Sequence, residues 1–166
     1  MGRTGSATTH GTRGVLVIPI GDVLFGARVE EVSGLIDADR LAPLPGQTEP
    51  LAGVVAFRGD MVPALDLCAY LDVEPPAGSA SRYAIVLARG AERFALLVPR
   101  LPRLVPGREL HEGEHTFGDS EIGSLVDCVF KSGPGSEPIH CLRFWSIFDS
   151  VIPPNRARRA SGASGN

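Results

Sequence analysis

The chain has 166 residues, a formal net charge of −3, 43% apolar and only 6% aromatic side chains. So small a charge imbalance provides no broad basic face for phosphate backbones, which argues against general nucleic-acid binding. Twenty glycines and fourteen prolines, spread along the sequence, suit short strands joined by tight turns better than a helical bundle.

Residues 1–13 are dominated by Gly, Thr, Ser and Arg and read as a disordered tail. They contain no apolar signal-peptide core, and no run in the chain approaches a membrane span, so the expected location is cytoplasmic, with no direct membrane insertion. Met1-Gly2 with Ser6 fits the bare acylation pattern, which is short and common. Val15 to Ile18 is a β-branched run, Gly21-Asp22 a turn, and Val23 to Val29 a returning strand. Residues 30–36 continue extended, and 41–53 form a proline-punctuated connection.

The stretch "GVVAFRGDMVPALDL" (53–67) then carries a strand, a turn at Gly59 with positive φ, and a return strand in which Pro63 ends the ladder. Asp66 caps a short helix that includes Leu67, Tyr70 and Leu71. The embedded Arg-Gly-Asp is an exposed hairpin tip. An adhesion role would need an exported protein, and the odd set of Cys68, Cys128 and Cys141 reads instead as buried free thiols in a reducing compartment. Residues 72–81 form a Pro/Gly/Ser linker.

The second half repeats the pattern. Tyr83 to Leu87 and Phe94 to Val98 form a hairpin, Leu101 to Val105 is extended, and 106–120 is a polar loop. Ile122 to Phe130 pairs with Ile139 to Leu142, and a closing helix covers 145–151. Residues 153–166 are a basic, disordered tail containing Arg156, Arg158 and Arg159. The boundaries expected are a first β-rich half at about 14–72 and a second at about 81–145, each too small for a core of its own.

The order Gly53, Phe57-Arg58-Gly59, Met61-Val62, Pro63, Ala64-Leu65, Asp66-Leu67 resembles the signature of the CheW family, the adaptors of bacterial chemosensory arrays. "LFGARVEEVSGLI" (24–36), "RYAIVLARGAERFALLVPRL" and "IGSLVDCVF…IHCLRFWSIF" are similar to its other hairpins and closing helix, so the resemblance covers about residues 14–152. It implies an all-β fold of two SH3-like five-stranded barrels sharing an apolar seam, with no catalytic site and no cofactor. It also implies two partners: the cytoplasmic tip of a chemoreceptor and the regulatory domain of a CheA-type histidine kinase. On this resemblance the receptor-facing residues are Val32, Leu35, Phe57 and Arg58, while Gly53, Gly59, Pro63 and Asp66 are structural. Arg58 is either a binding anchor or a brace between the barrels. Gly34, Pro99 and Arg143 depart from the family pattern, which leaves a divergent adaptor serving one partner as an alternative.

A second class of function comes from His111-Glu112-Gly113-Glu114-His115, which matches the H-E-x-x-H zinc pattern. That chemistry needs both histidines on one helix face. Gly113 and the surrounding turn residues favour a polar loop without metal, with a metal-binding or zinc-hydrolase module as the alternative. His140 reads as a strand-face residue rather than a ligand.

Overall fold

The computed structural model describes residues 12–76 and 83–152. Residues 1–11 of the expected first tail, with Gly2 and Ser6, residues 77–81 of the expected linker and the whole of the expected tail at 153–166 lie outside the described residues. Among the described residues, eleven strands form two sheets. In chain order they are β1 (Gly14–Ile20), β2 (Val23–Arg28), β3 (Val32–Asp37), β4 (Leu51–Phe57), β5 (Asp60–Asp66), β6 (Tyr83–Arg89), β7 (Glu92–Val98), β8 (Arg103–Pro106), β9 (His111–Glu112), β10 (Val126–Lys131) and β11 (Ile139–Leu142). Short helices accompany them: α1 (Leu67–Tyr70), α2 (Glu121–Leu125) and α3 (Phe144–Val151). No helix among the described residues is long and apolar enough to cross a membrane.

The hairpins are where the turn residues place them. Gly21 (φ 60°) and Gly90 (φ 60°) supply the left-handed backbone that lets two-residue connections match strand twist. One sheet runs β3-β6-β7-β5-β4 and the other β8-β1-β2-β11-β10-β9. Each contains a single parallel seam, β7 against β5 and β2 against β11. Read from β8 through the C-terminal strands and back to β1 and β2, the second sheet has the same strand order as the first, with β9 added at its edge. The two barrels are thus circular permutations of one topology.

This pairing corrects the expected boundaries. The chain does not divide near residue 72 into two consecutive halves. β6 and β7 complete the sheet begun by β3–β5, while β1 and β2 sit in the middle of the sheet built from C-terminal strands. Three local expectations also change. Residues 29–31 form a 3-10 turn, the segment 121–125 is helix α2 rather than strand, and His111-Glu112 is a strand inside what reads as a polar loop.

Three apolar clusters account for the packing. The largest lies between the sheets. It takes Ile18 and Phe25 from one sheet, Ile85, Leu87, Phe94 and Leu96 from the other, and Trp145, Ile147 and Phe148 from α3. Each barrel also has its own interior, Val55, Phe57, Val62 and Leu97 in one and Val15, Val105, Phe130 and Cys141 in the other. β7 is therefore buried on both faces, with Phe94 and Leu96 in the shared seam and Ala95 and Leu97 in the barrel. α3 is fixed by aromatic contacts, Phe94 stacked on Phe148 at 4.6 Å and edge-on to Trp145 at 4.8 Å between centroids.

Candidate functional site

The β4–β5 hairpin turns on two residues, Arg58 and Gly59, between the paired Phe57 and Asp60. Both have positive φ, 49° and 85°. That is the backbone a tight two-residue hairpin needs, and it comes free to glycine but not to arginine. The Arg58 guanidinium folds back over the Phe57 ring, 4.8 Å from its centroid, and reaches the Ser33 carbonyl at 3.5 Å. Arg93 on β7 covers the same ring at 5.6 Å and meets the Asp60 carboxylate at 3.7 Å.

Ser33 is presented by a bulge in β3, where the register with β6 shifts between Val32 and Gly34. Past the bulge, Gly34 faces Phe57 so closely that a Cβ there would lie 2.7 Å from the ring. Gly34 is the recess that lets Phe57 close the barrel between the edge strands β3 and β4. Alongside, a shallow groove of about 260 Å³ runs between those strands, lined by Ile36, Asp37, Asp39, Arg40, Val55 and Ala56. Leu35 (41% exposed) and Met61 (60% exposed) stand on the outward faces of β3 and β5. The result is a mixed-charge, partly apolar corner: Asp37, Asp39 and Asp60 stand against Arg40, Arg58 and Arg93, and the exposed Arg58 guanidinium is a fork able to bind carboxylates or helix-end carbonyls.

Leu35 and Arg58 are both exposed, and Arg58 reaches the carbonyl of Ser33, two residues before Leu35 on β3. Phe57 is not a surface residue: it is 7% exposed and belongs to the barrel interior, acting as the platform beneath Arg58. Val32 lies half-buried and packs on the core between the sheets. Met61 and Arg93 belong to the corner as well. Strand alternation, Val62 in and Met61 out, marks the first; Arg93 is brought in by a strand distant in sequence and has no local signal.

The structural motif residues have clear reasons. A Cβ on Gly53 (φ 142°) would sit 2.2 Å from the Ala42 carbonyl oxygen, where the chain crosses to pair Ala42 with Val54. Asp66 caps α1, accepting from the Ala69 N–H at 3.2 Å. Pro63 does not end the ladder as expected. β5 stays paired with β4 up to Leu65, and β7 joins only from Ala64, so Pro63 falls just before a third strand would require its missing N–H.

The remaining candidates take up internal roles. His111 and Glu112 pair with Lys131 and Phe130 in extended backbone, so the H-E-x-x-H residues do not share a helix face. His115 instead contacts the Gly123 carbonyl at 3.1 Å. No grouping of three metal-ligating side chains occurs among the described residues. His140 is 3% exposed; its Nδ1–H donates to the Leu24 carbonyl and its Nε2 accepts from the Thr116 hydroxyl at 2.8 Å. Burial holds its ring below the ordinary histidine pKa, with the Leu24 carbonyl pulling the other way. Arg143 donates to the carbonyls of Ser124 and Val126 at 3.0 and 3.1 Å, and Pro99 is buried.

Fold and corner together define a class: a two-barrel β module that displays side chains at a hairpin tip. The CheW-like domain description matches residues 14–136, most of the chain, and the protein belongs to the CheW-like family. Among solved structures it is similar to the scaffolding protein TtCheW from Thermoanaerobacter tengcongensis, with a TM-score of 0.63 and 15% identity over 80% of this chain and 84% of that one. At that identity the likeness speaks for the fold. A sequence comparison with curated proteins finds no match.

Proposed function

We propose that this protein is a non-enzymatic adaptor of a chemosensory signalling complex, coupling the cytoplasmic tip of a chemoreceptor to the regulatory domain of a CheA-type histidine kinase. In this reading it is held in receptor arrays through these partners rather than by any membrane contact of its own. The observation that carries it is Arg58: an arginine kept in left-handed backbone at an exposed tip, over an aromatic ring, in a family of scaffold proteins. A residue whose only task was to turn the chain would be glycine or asparagine there.

The three departures from the family pattern do not favour an adaptor serving only one partner. Gly34 accommodates Phe57, Pro99 is buried, and Arg143 is engaged with the carbonyls of Ser124 in α2 and Val126 in β10. The test is binding of the native chain and of Arg58→Glu to a receptor tip fragment and, separately, to the kinase regulatory domain. Receptor affinity is expected to fall by about 2 kcal/mol, roughly thirtyfold, with an unchanged circular dichroism spectrum. Undiminished receptor binding by a folded variant would remove Arg58 from the interface.

A further inference from the structure

All three cysteines are free thiols, and the β10–β11 hairpin brings two of them face to face. Cys128 and Cys141 are direct partners in the antiparallel register, immediately after the bulge at Asp127. Directly opposed residues in such a ladder hold their Cα atoms about 4.5–5.5 Å apart. A disulfide spans roughly 4.4–6.8 Å between Cα atoms. Partners in register project to the same face: Cys141 lies in the interior cluster of that barrel and Cys128, half-buried, packs against it. Gly26 on β2 leaves room for them, since a Cβ there would come 3.1 Å from the Cys141 sulfur. The third thiol, Cys68, is buried in the separate cluster between the sheets.

We propose that Cys128 and Cys141 form an oxidative modification site, a dithiol that hydrogen peroxide converts into a cross-strand disulfide. The Cys128 thiolate attacks the terminal peroxide oxygen. The O–O bond breaks, the sulfur keeps a hydroxyl as sulfenic acid, and the departing oxygen leaves as water once protonated. The Cys141 sulfur then attacks the Cys128 sulfur, the S–O bond breaks, and the hydroxyl leaves as a second water with the Cys141 proton. The two thiols lose two electrons and the peroxide gains them, so no further reductant is needed.

Exposure and local charge assign the two roles. Cys128 is half-buried, whereas Cys141 is 2% exposed. The hydrogen bond from Cys141 favours the Cys128 thiolate, against the cost of burial; Asp127 and Glu31 oppose it and Arg28 supports it. The same hydrogen bond and burial hold the Cys141 thiol protonated. A thiolate reacts with peroxide, and a neighbouring thiol resolves the sulfenic acid before further oxidation.

The experiment uses the full reduced chain, hydrogen peroxide as the probe, and thiol titration under denaturing conditions. Titratable thiols are expected to fall from three to one. The intact mass should drop by two hydrogens, a peptide map should join the segments carrying Cys128 and Cys141, and dithiothreitol should restore every thiol. In Cys141→Ala, peroxide should drive Cys128 to sulfinic acid instead, with a mass gain. The proposal is overturned if the native chain keeps all its thiols at a peroxide dose that exhausts free glutathione. It is equally overturned if the bridge found includes Cys68 or joins two molecules, or if native Cys128 goes directly to sulfinic acid. The peptide map of the native chain decides this even where a variant does not fold.

Discussion

Arg58 occupies backbone that costs an L-residue about 1–2 kcal/mol relative to the right-handed region. Its contact with the Phe57 ring offsets about 0.5–1 kcal/mol of that. Arg58→Asn would place an Asn-Gly pair in the turn, the preferred chemistry for this geometry, and is expected to raise the urea midpoint while weakening receptor binding. Unchanged or lower stability would show that the arginine braces the fold more than it strains it. Gly34 gives the complementary case. Gly34→Ala forces a methyl against a ring already covered by two guanidinium groups and is expected to cost about 1–3 kcal/mol. Phe57→Leu in the same chain should recover part of that loss; purely additive destabilisation in the double-mutant cycle would contradict the contact. His140 supplies a pH dependence. Its folded pKa lies below the ordinary 6.5, so the unfolded chain takes up a proton first. The contribution of His140 is complete above that value and is lost as pH falls through the lower folded pKa. Denaturation midpoints taken between neutral and mildly acidic pH should decline less steeply in His140→Gln than in the native chain.

At the level of elements, α3 closes the seam although it lies beyond the matched family region. Phe148 stacks on Phe94 and is 4% exposed, so Phe148→Ala is expected to cost about 3–5 kcal/mol in chemical denaturation. The Arg89–Asp149 pair beside it, at 2.9 Å but substantially exposed, should contribute about 1 kcal/mol or less. The hairpins β1–β2, β4–β5 and β6–β7 are legible in the sequence because strand and turn are neighbours, and Gly21, Gly59 and Gly90 mark the reversals. The parallel seams are not legible. β2 meets β11 from the far end of the chain, and nothing in Leu24 or Phe25 names Ile139 or His140 as a partner. The same reason limits the site. Arg58 and Leu35 can be picked out one at a time from a motif, but the recess at Gly34, the second guanidinium from Arg93 and the burial of Phe57 exist only after the sheet has curled.

For the whole molecule, a core shared by both sheets couples their stabilities. The only tryptophan, Trp145, lies in that seam, with its indole N–H buried and unpaired and Arg89 stacked 4.3 Å from the ring. Its fluorescence should therefore report the docking of the barrels, and its urea transition should coincide with that of far-UV circular dichroism. Two separate transitions would mean that one barrel survives without the other. The strand order has a further consequence during synthesis. A ribosome releases β1 and β2 first, yet their sheet neighbours β8 and β11 emerge after every strand of the other barrel. All the strands of the β3–β7 sheet are available on the nascent chain while the β1–β2 hairpin, carrying Val15, Val17 and Ile18, still lacks its sheet partners. Translation must run on to β11 before that hairpin is enclosed, which leaves an early-made segment waiting for late partners and makes it a natural place for a chaperone to hold.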